Sequence, residues 1–133
     1  MKHKFLKSVA GLAMFASAFA FAQTPYPTKP ITMIVPFAAG GPTDTVARLV
    51  AQSMGNTLKQ TVLVENVGGA GGTIGAARVA KSAPDGYTLF LHHIGQSTAP
   101  SLYRKLSYNA VDDFEPIGPV SYTHLTLPTT PYV

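Results

Sequence analysis

An α/β protein with a parallel sheet is predicted by the order strand, helix, strand, helix, strand between Ile31 and Leu91. Three observations carry this expectation. The run Ile31-Thr32-Met33-Ile34-Val35 is almost continuously apolar, which suits a strand covered on both faces. Val46, Leu49, Val50, Met54 and Leu58 then recur at near-helical spacing. The links between these patterns are short and rich in glycine, as right-handed crossovers between parallel strands allow.

Each element has its own signals. Tyr26-Pro27-Thr28-Lys29-Pro30 is extended, because its prolines exclude helix, and Pro36 ends the first strand. After Phe37-Ala38-Ala39-Gly40-Gly41-Pro42, Thr43 stands where a helix N-cap belongs, opening a helix from Asp44 to about Lys59. Thr61 to Glu65 is the second strand, and Asn66 to Gly72 a second glycine-dense loop. Thr73 is positioned to cap a helix from Ile74 to about Ser82, which stops before the turn Ala83-Pro84-Asp85-Gly86. Tyr87 to Leu91 is the third strand, and Pro100 opens a possible third helix.

With 133 residues, the chain has room for one ordinary domain. Its lack of cysteine removes disulfide frameworks, thiolate metal sites and thiol nucleophiles. Lys2, Lys4 and Lys7 precede an apolar and small-residue run, Val9 to Ala22, that ends Ala20-Phe21-Ala22. That is the layout of a secretory signal peptide over residues 1–22 with cleavage after Ala22, so the expected mature chain is exported without a membrane anchor. From Gln23 to Val120 seven basic residues face six acidic ones, and they are scattered, which argues against nucleic acid as a partner.

All three loops follow strand ends, where ligands of open α/β sheets collect. Gly40-Gly41-Pro42-Thr43-Asp44 and Gly71-Gly72-Thr73-Ile74 each run into a helix start, so unpaired N–H groups and the positive helix end can meet an anion. Ser97 and Thr98 add hydroxyl donors. The bland alternative for each loop is a tight turn with an ordinary cap. No Gly-Lys-Ser/Thr ending exists for a phosphate loop, and the second loop is out of register for G-x-G-x-x-G. Gly95-Gln96-Ser97-Thr98-Ala99 lacks the last glycine of a hydrolase elbow, leaving a secreted α/β hydrolase fragment with Ser97 as nucleophile as the rival reading. His92 and His93, adjacent on a strand, would point to opposite faces and could not share a metal. Asp112-Asp113-Phe114-Glu115 reads as a solvated turn, so no metal or cofactor is expected.

The ordered set Tyr26-Pro-x-Lys-Pro30, Val35-Pro-Phe-Ala-Ala-Gly-Gly-Pro-Thr-Asp44, Val64-Glu-Asn66, Gly69-Ala-Gly-Gly-Thr-Ile-Gly75 and Ala83-Pro-Asp-Gly-Tyr87 resembles the Bug family. Those proteins are the secreted substrate-binding receptors of tripartite tricarboxylate transport, and the likeness runs through Leu102-Tyr-x-Lys-Leu106 and Asp113-Phe114. The resemblance implies a periplasmic, non-enzymatic receptor of the type II periplasmic-binding, or Venus-flytrap, architecture. It would be monomeric at full length and would deliver a small carboxylate to transporter subunits in the cytoplasmic membrane. Carried onto this sequence, Gly40, Gly41, Thr43 and Asp44, then Gly71, Gly72 and Thr73, then Ser97 and Thr98 are the expected ligand-binding positions. Asp44 would repel an anion if it pointed inward, so it is expected to satisfy helix N–H groups, orient water or meet an ammonium on an amino-acid ligand. Val67-Gly68 stands where the family more often has a basic residue and proline.

Residues 121–133 do not continue this pattern and have no lysine, arginine or acidic residue. The eleven residues Val120 to Thr130 resemble a translated sequencing-library adapter, which leaves residues 23–120 as part of a first lobe and a fragment not competent to bind alone.

Overall fold

The computed structural model describes residues 25–121. The predicted signal peptide and almost all of the segment 121–133 lie outside them. Strand β1 (Ile31–Val35) is followed by helix α1 (Pro42–Leu58), strand β2 (Val62–Asn66), a 3-10 turn (Ala70–Gly72), helix α2 (Thr73–Ala80), strand β3 (Thr88–Phe90) and helix α3 (Gly95–Leu102). The sheet order is β2-β1-β3, and β1 is parallel to both neighbours. The α/β expectation therefore holds, with every strand delivering its carboxyl end to the same pole.

The central position of β1 explains its composition. Ile31, Met33, Ile34 and Val35 are buried, and side chains alternate between the faces. Met33 and Val35 pack with Ala47 of α1, and Val50, Met54, Val62, Val64 and Leu89 close around them. On the other face, Thr32 and Ile34 line a groove with Arg78 of α2 and Ser82 just beyond its end. Ala47 and Ala76 are fully buried, so each helix meets the sheet through a small residue and lies close to it.

Four local expectations need correction. Helix α1 begins one residue before Thr43: Gly41 is its N-cap and Pro42 occupies the first turn, where a missing N–H costs nothing. Thr73 is the first residue of α2 rather than its cap, and its hydroxyl donates to the Ala70 carbonyl at 3.0 Å. Helix α3 starts at Gly95, which places Pro100 inside it and Ser97 and Thr98 within its first turn. Strand β3 stops at Phe90, so His92 and His93 sit in a loop and do not point across a sheet.

The pole away from the strand ends is closed by side chains. Tyr26 Oη donates to the Gly86 carbonyl at 2.6 Å, the Thr28 amide donates to Tyr87 Oη at 2.9 Å, and Lys29 pairs with Asp85 at 3.2 Å. Lys29 Nζ also lies 4.3 Å from the Tyr87 ring centroid. This latch fixes the extended leader against the turn before β3.

Candidate functional site

The carboxyl ends of β1, β2 and β3 release the three loops side by side, and specific contacts knit them. Asn66, the last residue of β2, donates through Nδ2 to the Phe37 carbonyl at 3.0 Å and to Asp44 Oδ1 at 2.9 Å. The Val67 amide donates to the Val35 carbonyl at 2.8 Å. Phe37 stacks on His93 with centroids 4.4 Å apart and meets His92 edge-on at 5.3 Å, joining the first loop to the third. Gly72 joins the second to both. Its φ of +96° suits a residue without a side chain, and a Cβ there would come within 2.7 Å of His92 Nε2 and 3.3 Å of Pro36 Cβ.

Asp44 organises the first loop. Only 2% exposed, its carboxylate accepts from the Gly40 amide at 2.8 Å, from Arg48 Nε at 2.8 Å and from Asn66. Three residues past the N-cap, it reaches back to a loop N–H, which is the acidic half of a capping box displaced by one residue. The Arg48 hydrogen bond, followed by those from Gly40 and Asn66, holds its pKa at about 2, against the opposing effect of desolvation. Asp44 is thus a charged, saturated brace, and its negative charge is compensated by Arg48, whose NH2 group also donates to Asn66 Oδ1 at 3.3 Å. Of the roles expected for it, satisfying helix N–H groups comes nearest, but the N–H it takes is that of Gly40 in the loop before the helix.

The other expected positions divide into engaged and open donors. The Gly40, Gly41 and Gly72 amides donate to Asp44, Ala38 and Gly69. The amides of Thr43 and Asp44, in the first turn of α1, have no acceptor outside the helix among the described residues. Thr43, partly buried, also keeps its hydroxyl without a protein partner among them. Gly71 is exposed, with Tyr103 Oη 2.5 Å from where its Cβ would be, so the second loop abuts the end of α3. Ser97 Oγ donates to the Ile94 carbonyl at 2.9 Å, and Thr98 Oγ1 lies 3.3 Å from the Gly95 carbonyl.

Ser97 makes no hydrogen bond to either histidine: His93 Nδ1 accepts from the Gly95 amide and His92 Nδ1 from the His93 amide. No general base is aligned on that hydroxyl. The acidic segment near residue 112 closes on Asn109, whose amide donates to Asp113 at 2.7 Å, and the described residues contain no metal-binding group of three. Sequence reasoning missed Arg48 and Asn66 as site-builders. Asn66 belonged to a recognised motif, but its bonds reach 22 and 29 residues back along the chain.

A parallel sheet that gathers glycine loops and a helix N-terminus at its carboxyl pole is the arrangement in which open α/β proteins hold ligands. The comparisons agree. Residues 46–132 match the family model described as the tripartite tricarboxylate transporter family receptor, and the chain belongs to that family. It is 58% identical over 106 residues to the UPF0065 protein in the TAR-I ttuE-ttuC' intergenic region of Agrobacterium vitis, covering 80% of this chain and 31% of the relative. The structure of the periplasmic binding protein BugD superposes with a TM-score of 0.68 at 61% identity, over 70% of this chain and 31% of BugD. MatC of Rhodopseudomonas palustris, solved with bound malate, gives 0.64 at 50% identity, over 67% of this chain and 31% of MatC. The chain therefore spans about a third of the length of these relatives. The family's proteins are periplasmic binding proteins, which places this chain's family in the periplasm.

Proposed function

We propose that this chain carries one wall of a receptor cleft for a small carboxylate, which the complete receptor hands to a tripartite tricarboxylate-type transporter. The observation that supports it best is the meeting of all three strand-end loops at one pole, with the first-turn amides of α1 open there and Asp44 neutralised by Arg48. The malate held by MatC supports the ligand class. In this reading the open amides of Thr43 and Asp44 and the Thr43 hydroxyl meet the ligand, while Gly40, Gly41, Gly71, Gly72, Thr73, Ser97 and Thr98, whose donors are largely engaged within the loops, shape the wall around it, and the Asp44 carboxylate positions the first loop without touching the anion. Residues 1–22 direct export and are cleaved after Ala22.

Micromolar binding needs about 8 kcal/mol, and a charge-assisted hydrogen bond contributes roughly 1.5–3 kcal/mol before ordering costs. A single open wall thus reaches millimolar affinity. Calorimetry with malate and with its uncharged diamide tests this: heat from malate alone is the expected result, and equal responses to both compounds would remove the carboxylate reading. A fluorophosphonate probe tests the rival hydrolase, and labelling of Ser97 would reinstate it.

A further inference from the structure

We propose that His92 is a specificity-determining donor of this site, presenting its Nε2–H to a carboxylate oxygen of the ligand at the seam between the loops; the inference rests on the carboxylate-receptor reading above. Four observations on one side chain carry it. The His93 amide donates to His92 Nδ1 at 2.7 Å. A ring nitrogen that accepts a hydrogen bond uses its lone pair, so the neutral imidazole keeps its proton on Nε2. That nitrogen abuts Gly72 beside Pro36, where the loops after β1 and β2 meet. Among the described residues Nε2 meets no acceptor, and it is not sealed from solvent.

The ring is held in this pose by edge-on contacts with Phe37 at 5.3 Å, Phe90 at 5.2 Å and His93 at 4.9 Å. Burial, with the neighbouring His93 charge acting in the same direction, lowers the His92 pKa to about 4. The imidazole therefore offers a neutral donor at neutral pH. Such a donor matches a carboxylate or carbonyl oxygen and is mismatched to an ammonium at the same position.

Two measurements on the whole chain test the assignment. Long-range proton–nitrogen correlation of the ligand-free protein should show the Nε2–H tautomer at His92; an Nδ1–H tautomer overturns the inference whatever the ligand does. Malate titrations followed by amide spectra should then show His92→Leu weakening binding roughly ten- to hundred-fold, with His92→Gln, which retains an N–H donor, within about threefold of wild type. Equal affinity in all three proteins overturns the role of His92 and leaves the receptor reading standing. Absence of any malate response in wild type at millimolar concentration removes both.

Discussion

The two poles of the sheet are built from the same three strands and are held in opposite ways. At the amino pole, Tyr26, Thr28 and Lys29 spend their polar atoms on Asp85, Gly86 and Tyr87, and the leader is locked. At the carboxyl pole, a single buried carboxylate, an asparagine and two stacked rings hold three loops, and the first-turn amides of α1 remain open among the described residues. Parallel strands make this inevitable. Their carboxyl ends feed helix N-termini, whose first N–H groups have no partner of their own, so unspent donors accumulate at one end only. Donors open to a ligand therefore lie at the carboxyl pole, while the amino pole is closed on itself.

Substitutions should separate the poles, beginning with the most damaging. Asp44→Ala strands the Gly40 amide, Arg48 and Asn66 at once, and should lower the melting temperature more than any other single substitution at either pole, with faster hydrogen exchange at Gly40. If the amino-pole amides lost protection equally, the two poles would not be independent. Gly72→Val forces a side chain into positive φ and against His92 and Pro36, and should cost about 2–4 kcal/mol in denaturant unfolding.

Acid should also act on the carboxyl pole. His92 has a folded pKa depressed from 6.5 to about 4, so the unfolded chain binds the extra proton first. The stabilisation is complete above about pH 6.5 and is lost as pH falls toward 4, by about 2 kcal/mol for a ring partly open to water. Asp44, lowered from 3.8 to about 2, adds a second loss between those values. His92→Gln should abolish the upper phase and leave the lower one, as read from unfolding free energy against pH. The smallest effect belongs to the opposite pole: Tyr26→Phe removes one hydrogen bond and should cost about 0.5–1.5 kcal/mol without altering either acid phase.

Much of this arrangement was legible in the sequence, and the gaps have physical causes. β1 could be read because a central parallel strand must be apolar on both faces, and Ile31, Met33, Ile34 and Val35 are. The two glycine loops could be read because tight loops entering helices leave a local signature. The helix starts were misplaced because proline and glycine outcompeted threonine: Pro42 and Gly41 begin α1, and the backbone at Gly72 precedes α2. The tie from Asn66 to Phe37 and the latch from Tyr26 to Gly86 could not be read, since each joins residues 29 and 60 positions apart whose types carry no pairing code. His92 looked unremarkable for the same reason. Its role depends on a neighbouring amide and a distant glycine, both set by the fold.

If one pole of this sheet is a carboxylate-binding wall and the other is not, a ligand should perturb only the first. Amide proton–nitrogen spectra of the chain, recorded during titration with malate, test this residue by residue. Shift changes should gather at residues 37–44, 69–74 and 92–98, with the latch at Tyr26, Thr28, Asp85 and Tyr87 unmoved. Changes centred on the latch, or none at millimolar malate, would contradict the division of labour between the poles.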